Sequence, residues 1–243
     1  MIERTLTVIP ARYASHRLPG KVLEEIHGFP MIYWVYQQVL KAKSGAVIVA
    51  ADHSKVYETL EKLDIPYVAT DPTCRNGTER VYEVAKKYPD VDYFLNVQGD
   101  EPLLNPSIVQ SVLTSGFEPG GFKTAISGIS GESNNPSEVK VALSSENRIR
   151  FASRSLIPYV EEKSIRYKIH GVYLYSKPLL ERFISCPVGP LEQLESVEQL
   201  RCIENVIPLI GIKTEGTERS VDTHDDLLYM RSLPASLFSD AII

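Results

Sequence analysis

The chain has 243 residues, of which 43% are hydrophobic, and a formal net charge of −5. This length and composition predict one sizeable globular domain or two small ones, with a substantial core. The acidic balance, with a sequence pI near 5.6, argues against general binding of nucleic acid. Any affinity for phosphate therefore has to come from local clusters of basic residues.

The amino terminus and the cysteines predict a cytoplasmic protein. The first residues lead directly into an apolar run without the core of a signal peptide, and no apolar stretch is long enough to span a membrane. Cys74, Cys186 and Cys202 are odd in number, widely spaced and lack the spacing of a metal site. We therefore expect free thiols in a reducing compartment and no membrane partner.

The first half of the chain alternates short strands with helices. Apolar β-branched runs predict strands, and apolar residues at helical spacing predict helices. This alternation of strands and helices predicts an α/β protein, a three-layer α/β/α sandwich with a mostly parallel, doubly wound sheet. The predicted strands are 6–9, 46–51, 66–69 and 93–97, and the predicted helices are 30–40, 54–63 and 77–87.

The second half is less regular. Nothing in it resembles a flexible linker, so residues 1–243 are predicted to form a single domain. We expect the segment from about 151 to 205 to leave the main sheet, cover the site and build a subunit contact. Strands are predicted at 123–126, 138–143 and 166–175, and helices at 191–202 and from about 227.

A basic loop follows the first predicted strand. It begins at Pro10-Ala11 and carries Arg12, Arg17 and Lys21. Ligands of open α/β sheets bind at the carboxyl ends of strands, and guanidinium and ammonium groups suit the oxygens of a phosphate chain. The alternative is a solvated surface loop with ordinary basic residues, but the length of the loop favours a ligand site.

Two acidic turns are candidates for a metal site. Asp100 follows the fourth predicted strand at the same sheet edge as the basic loop, where it could hold a divalent cation against phosphate oxygens. Asp222 precedes the last predicted helix and is the second candidate ligand. The structural alternative is that Asp100 caps the next helix beside an exposed Glu101, and that Asp222 belongs to a helix cap.

A small polar turn precedes the third predicted helix, with Gly77 at its start and Arg80 in its first turn. This position suits a contact with a phosphate or a base. The alternative is an exposed arginine that forms a salt bridge. The residues alone leave both interpretations open.

Six blocks of sequence follow one another along nearly the whole chain. They are Pro10-Ala11-Arg12-Tyr13-Ala14-Ser15 with Arg17-Leu18-Pro19-Gly20-Lys21; Gly77-Thr78 with Arg80; Asn96-Val97-Gln98-Gly99-Asp100-Glu101-Pro102; Ser153-Arg154 with Ile157-Pro158-Tyr159; Pro190-Leu191-Glu192-Gln193 with Glu195-Ser196 and Glu198-Gln199-Leu200-Arg201; and Val221-Asp222-Thr223. In content and order they resemble the nucleotide-sugar cytidylyltransferase family, and within it the branch acting on 3-deoxy-manno-octulosonate (Kdo). Six blocks at fitting separations are a specific signal.

The resemblance implies an enzyme, a nucleotidyltransferase. In its reaction the anomeric hydroxyl of Kdo attacks the α-phosphorus of CTP, which gives CMP-Kdo and pyrophosphate. The resemblance also implies a nucleotide-diphospho-sugar transferase-like fold, Mg²⁺ as cofactor, a homodimer and a role in lipopolysaccharide biosynthesis.

The resemblance also assigns roles to residues. It implies that Lys21, Asp100 and Arg17 are catalytic and that Asp100 and Asp222 hold Mg²⁺. The residues implied to bind the nucleotide are Pro10, Ala11, Arg12, Arg17, Lys21, Gly77, Arg80 and Asp100. The residues implied to bind the sugar are Gln98, Arg154, His170, Tyr173, Glu198 and Gln199, with Arg154 as partner of the sugar carboxylate.

One segment departs from the family pattern. Relatives commonly read Lys-His-Ile-Gly before the tyrosine, whereas this chain reads Lys168-Ile169-His170-Gly171. A shift of one residue along a strand moves a side chain to the opposite face. His170 therefore contacts the sugar only with the help of a local bulge, and otherwise is a structural histidine that faces solvent.

This departure leaves the substrate open between Kdo and another acid sugar, such as 8-amino-Kdo or a nonulosonate. An alternative from another class is a non-catalytic nucleotide-binding module. The intact Lys21, Asp100 and Asp222 argue against that second alternative.

Overall fold

One nine-stranded sheet organises the part of the chain that this computed structural model describes, which comprises residues 4–15, 17–116, 120–129, 135–159, 165–216 and 219–239. The strands, including a two-stranded hairpin, are β1 (Thr5–Ala11), β2 (Glu25–Ile26), β3 (Phe29–Pro30), β4 (Ala46–Ala51), β5 (Tyr67–Ala69), β6 (Tyr93–Val97), β7 (Phe122–Ile129), β8 (Lys140–Leu143), β9 (Ile149–Ser153), β10 (Arg166–Ser176) and β11 (Leu209–Thr214). The helices are α1 (Met31–Lys41), α2 (Ser54–Lys62), α3 (Gly77–Lys87), α4 (Pro106–Thr114), α5 (Lys177–Ser185), α6 (Pro190–Glu195), α7 (Leu200–Glu204), α8 (His224–Ser232) and α9 (Ser236–Ser239).

The main sheet has the strand order β11, β7, β10, β6, β1, β4, β5, and β8 joins β10 to β9 beside this path. Strands β6, β1, β4 and β5 are mutually parallel, and β11 is parallel to β7. Strand β10 runs antiparallel to both of its neighbours β6 and β7. The predicted mostly parallel, doubly wound sheet is therefore confirmed.

Helices cover both faces of the sheet because side chains alternate along each strand. On β1, Ile9 belongs to an apolar cluster with α1, α2 and α4, whereas Val8 belongs to a cluster with α3, α5 and α7. A third cluster packs Leu227 of α8 near Trp34 of α1. The result is the predicted α/β/α sandwich. Within the described ranges, no helix combines the length and apolar character that crossing a membrane requires.

The site edge of the sheet lies where the order of strands reverses. After β1 the chain builds β4 and β5 on one side, and it then returns to place β6 on the other side of β1. The loops after β1 and β6 are therefore neighbours at the carboxyl ends of parallel strands, where open α/β sheets bind ligands. The N–H of Val221 donates to the carbonyl of Asp100 at 2.8 Å, which fixes the segment before α8 at this edge.

Several elements differ from the sequence prediction. The predicted helix at 191–202 is wrong, because Ser196 adopts a left-handed conformation (φ 52°) that ends α6, and α7 begins only at Leu200. The pattern also missed α4, α5, β9 and β11. For α4 a signal was available, since Asn105 caps its first turn and Pro106 follows.

The segment from about 151 to 205 is not an excursion from the sheet, as the sequence predicted, because it contains β10 between β6 and β7. Its residues 160–164 lie outside the described part of the chain. What leaves the sheet in this segment is the group of helices α5 to α7.

A buried ion pair holds the turn between α6 and α7 in place. Arg201 is fully buried and donates to both carboxylate oxygens of Glu192 at 2.7 and 2.6 Å. Its guanidinium also approaches Glu79 of α3 at 3.4 Å and lies 4.5 Å from the ring centre of Phe183. These contacts attach the helices α6 and α7 to α3.

Replacing Arg201 with methionine would leave Glu192 without its partner in the interior, and we expect the free energy of unfolding to fall by about 3–5 kcal/mol. The double variant R201M/E192M should recover much of this loss, because no unpaired charge remains. Chemical denaturation of both variants measures the effect. The exposed Arg182→Met is the control, and a double variant as unstable as R201M would contradict this account.

Candidate functional site

Two adjoining cavities lie at the carboxyl edge of the sheet. The first cavity, of about 370 Å³, lies between the loop after β1 and the turn after β6. The second cavity, of about 300 Å³, extends toward β10 and the turn before α7. Gln98, Asp100 and Arg154 line both, so the two cavities form one continuous cleft.

The first cavity brings together the residues that the sequence assigns to the nucleotide and the metal. The exception is Ala11, which is fully buried within β1 and does not line the cavity. The residues that do line it are Pro10, Arg12, Arg17, Lys21, Gly77, Arg80, Asp100 and Asp222.

Lys21 joins the two acidic candidates. Its ammonium donates to Asp100 Oδ2 at 2.6 Å, to Asp222 Oδ1 at 3.2 Å and to the carbonyl of Val221 at 3.1 Å. Burial lowers the pKa of an ammonium, but the charges and hydrogen bonds of Asp100 and Asp222 outweigh burial and raise the pKa of Lys21 above its usual value. Lys21 therefore stays protonated and lies between two carboxylates.

The structural alternatives for the two aspartates are wrong. Helix α4 is capped by Asn105, and α8 is capped by Thr223 in a capping box with Asp226. Glu101 is 7% exposed, and its Oε1 accepts a hydrogen bond from the backbone of β10 at 2.8 Å. The side chains of Asp100 and Asp222 therefore do not cap a helix.

Two arginines extend the positive wall of the first cavity. Arg17 is half exposed and pairs with Asp222 Oδ1 at 2.9 Å. Arg12 donates to the carbonyl of Arg75 at 3.5 Å, and its buried Nε has no hydrogen-bond partner among the described residues. A buried guanidinium N–H without an acceptor favours the approach of an anion.

Arg80 lies beneath the first cavity and is 1% exposed. Its guanidinium donates to Asp52 at 2.9 Å and to the hydroxyl of Thr70 at 2.6 Å, so the predicted alternative of an exposed arginine is wrong. Asp52 also accepts the N–H of Tyr13 at 2.9 Å, which ties the basic loop to α3. Sequence reasoning missed Asp52, although an acidic residue directly after a buried strand was an available signal.

Two glycines allow the backbone of the cleft to pack closely. A Cβ atom on Gly99 would lie 2.7 Å from the carbonyl oxygen of Pro10, which brings the turn after β6 against the start of the basic loop. A Cβ atom on Gly77 would lie 2.6 Å from the side-chain nitrogen of Gln98. A larger residue at Gly99 would push the turn after β6 away from the basic loop, whereas a larger residue at Gly77 would displace the side chain of Gln98.

The second cavity brings together the six residues that the sequence assigns to the sugar. Strand β10 supplies two of them, and the turn between α6 and α7 supplies two more. The left-handed Ser196, which the sequence prediction missed, turns the chain between these helices. The six residues are Gln98, Arg154, His170, Tyr173, Glu198 and Gln199.

Among the described residues no carboxylate oxygen lies within ion-pair distance of the Arg154 guanidinium, although the Glu195 carboxylate accepts the backbone N–H of Arg154 at 2.9 Å. Its guanidinium donates to the carbonyls of Glu195, Ser196 and Pro136 at 2.8, 2.9 and 2.8 Å. These neutral acceptors fix its orientation and leave its charge available. Such a group suits recognition of an acid.

Glu198 is one of three acidic residues that line the second cavity, together with Asp100 and Glu101. It accepts hydrogen bonds from the N–H and hydroxyl of Thr78 at 3.3 and 3.1 Å and from the side chain of Gln199 at 3.1 Å. Burial raises the pKa of Glu198 to about 7, although the hydrogen bonds from Thr78 oppose this. A carboxyl group with a raised pKa in a cleft is typical of a functional site.

His170 does not face solvent, so that part of the sequence prediction is wrong. It is 2% exposed, and its Nε2 lies 2.7 Å from the hydroxyl of Ser127. The pairing of β10 with β7 shifts between Ile169 and Tyr173, and at this bulge both Ile169 and His170 reach the second cavity. Contact between His170 and a sugar stays a prediction.

The chain is similar to known proteins in both sequence and fold. Residues 6–209 match the family model described as Cytidylyltransferase. The 3-deoxy-manno-octulosonate cytidylyltransferase of Acidobacterium capsulatum is 38% identical over 234 residues, which cover 94% of this chain and 95% of that protein.

Two solved structures have the same fold. A CMP:2-keto-3-deoxy-manno-octonic acid synthetase complexed with CTP is 34% identical, with a TM-score of 0.87 over 94% of this chain and 97% of that one. A putative glucose-1-phosphate thymidylyltransferase from Bacillus anthracis is 14% identical, with a TM-score of 0.68 over 97% and 99% of the two chains, and shows likeness of fold alone. The predicted nucleotide-diphospho-sugar transferase-like fold is confirmed.

The burial of His170 predicts that its own contribution to stability is lost in mild acid. Burial, with a smaller effect of Lys168, lowers the pKa of His170 from 6.5 to about 4. Below about pH 6.5 the unfolded chain binds a proton at His170 that the folded protein does not bind until about pH 4. The contribution of His170 to stability is therefore complete above pH 6.5 and falls toward pH 4, by about 3 kcal/mol at about 1.4 kcal/mol per pKa unit, whereas the raised pKa of Glu198 contributes in the opposite direction over the same range.

Chemical denaturation at pH 7 and pH 5 tests this expectation. The variant His170→Gln should lose less stability between these values than the unmodified protein. His224→Gln, which changes an exposed histidine on α8, should behave like the unmodified protein. Equal acid sensitivity of all three would contradict the assignment to His170.

Proposed function

Because the chain belongs to the cytidylyltransferase family, we propose that it transfers CMP from CTP to the anomeric hydroxyl of Kdo and releases pyrophosphate. The observation that carries this proposal is the single cleft, with phosphate-binding groups at one end and groups suited to an acid sugar at the other. The relatives named for this activity support the same substrates.

The first cavity is suited to a triphosphate. Arg12, Arg17 and Lys21 carry three positive charges there. The CTP-complexed structure of a relative with the same fold supports the nucleotide as occupant. Transfer of a nucleotidyl group requires little covalent chemistry from the protein. These side chains therefore act by orienting the phosphates and compensating their charge.

We propose Asp100 and Asp222 as the ligands of Mg²⁺. Their carboxylates already converge on one cation, the Lys21 ammonium, at 2.6 and 3.2 Å. Within the described ranges no cluster of three His, Cys, Asp or Glu side chains suits a metal ion, and a pair of carboxylates fits an ion that also binds phosphate oxygens. When bound, Mg²⁺ supplies charge for the phosphate oxygens and increases the acidity of the attacking hydroxyl.

The second cavity would hold the sugar. Arg154 binds its carboxylate, because its charge is uncompensated and its orientation fixed by three carbonyls. Gln98, Glu198 and Gln199 offer amide and carboxyl groups to the sugar hydroxyls. The anomeric oxygen then bonds to the α-phosphorus as the bond to pyrophosphate breaks, and the hydroxyl proton leaves to solvent.

A second candidate is transfer to another acid sugar, such as 8-amino-Kdo or a nonulosonate. The observation that favours it is the bulge of β10, where His170 bonds to Ser127 and Ile169 shares the wall of the second cavity. These two side chains are exchanged relative to the family pattern. A non-catalytic module is disfavoured because Lys21, Asp100 and Asp222 converge in the cleft.

The protein is proposed to act as a cytoplasmic homodimer in lipopolysaccharide biosynthesis. Four of the eight large apolar side chains that are exposed among the described residues lie in or beside the segment from about 151 to 205, and they support a subunit contact there. All three cysteines are free thiols, in keeping with a reducing compartment. The apolar side chains are Tyr159, Ile165, Leu194 and Val206.

Pyrophosphate release from CTP and Mg²⁺ tests the substrates. We expect release with Kdo and not with 8-amino-Kdo or N-acetylneuraminate, and not when ATP, GTP or UTP replaces CTP. Release with a different sugar would select the second candidate. Binding of CTP without turnover of any of these sugars would refute the proposed transfer.

Replacing Asp100 with asparagine should lower kcat/KM by about 100-fold or more, which corresponds to about 3 kcal/mol of transition-state stabilisation. The reason is loss of the carboxylate that faces Lys21 and the phosphates. Asp225→Asn removes the same charge from an exposed position and should leave turnover near that of the unmodified protein. Unchanged turnover in D100N would refute the metal role of Asp100.

A further inference from the structure

Two cations already balance the two aspartates of the first cavity. Lys21 contacts Asp100 and Asp222, and Arg17 contacts Asp222 at 2.9 Å. The side chains of Lys21, Asp100 and Asp222 are only 14%, 21% and 14% exposed. Solvent therefore screens these charges weakly, and the cluster is close to neutral without any further ion.

The lysine occupies one oxygen of each carboxylate that a metal ion would use. Its ammonium binds Asp100 Oδ2 and Asp222 Oδ1, while Asp222 Oδ2 accepts the hydroxyl of Ser220 at 3.3 Å. A divalent cation on the same two oxygens would lie against the ammonium and be repelled by it. Metal and lysine therefore compete for one position.

We propose that Lys21 is an internal substitute for the metal ion, and that the triphosphate of the nucleotide draws it away. This inference rests on the proposed function, because it takes CTP and a divalent cation as the ligands. The lysine side chain has a flexible four-carbon stem and lines the same cavity as Arg12 and Arg17. It can turn toward phosphate oxygens without movement of the backbone.

The consequence is that metal and nucleotide bind as a pair. Without nucleotide, the ion has to displace a favourable ion pair and gains no new anion. With nucleotide, the phosphates compensate both the ammonium and the metal. By linkage, the metal strengthens nucleotide binding by the same factor.

Binding of Mn²⁺, followed by electron paramagnetic resonance with and without CTP, tests this competition without turnover. In the absence of CTP, Lys21→Met should bind Mn²⁺ about tenfold or more tightly than the unmodified protein, because a competing unit charge is gone. Lys21→Arg keeps the charge and should bind Mn²⁺ weakly. The exposed Lys62→Met should match the unmodified protein.

Equal affinity of K21M and the unmodified protein for Mn²⁺ alone, with CTP still strengthening Mn²⁺ binding in the latter, overturns the competition and leaves the proposed function intact. No effect of CTP on Mn²⁺ in the unmodified protein overturns both. If K21M does not fold, Lys21→Gln replaces it. Tight binding of Mn²⁺ to the unmodified protein without CTP also overturns the inference.

Discussion

The contact between the Lys21 ammonium and the carboxylates of Asp100 and Asp222 is the interaction on which the cleft depends. It joins the loop after β1, the turn after β6 and the segment before α8, which are far apart in sequence. Each carboxylate is costly to desolvate alone, and the shared cation offsets part of that cost. The same three side chains line the first cavity, so the interaction that holds these segments together also places the charged groups of the site.

A second constraint comes from two arginines that are buried with acidic partners. Arg80 pairs with Asp52 under the first cavity, and Arg201 pairs with Glu192 behind the second. Both contact α3 or belong to it, and the first turn of α3 supplies Gly77 to the cleft and the hydroxyl of Thr78 to Glu198. Helix α3 therefore contacts the residues of both cavities.

The sequence predicted the features that depend on local residue pattern and on the order of motifs. The strands of the parallel half end within one or two residues of their predicted bounds, apart from the extended β1, because β-branched runs and buried parallel strands share one signal. The features that the sequence missed depend on tertiary context. Strand β10 lies in the middle of the sheet, and the left-handed Ser196 divides the helix that the periodicity had predicted as continuous. The burial of Arg80 and His170 likewise follows from packing partners distant in sequence.

The two ends of the cleft differ in how firmly the chain determines them. In the first cavity, charges from three segments meet within hydrogen-bond distance, so each position is restrained by the others. In the second cavity, the wall includes a bulge in β10, where both Ile169 and His170 reach the cavity. A bulge can absorb a change of residue without disturbing β6, the basic loop or Asp100. Under the proposed function, a change of residue at this bulge would therefore alter the sugar cavity while the charges of the first cavity are retained.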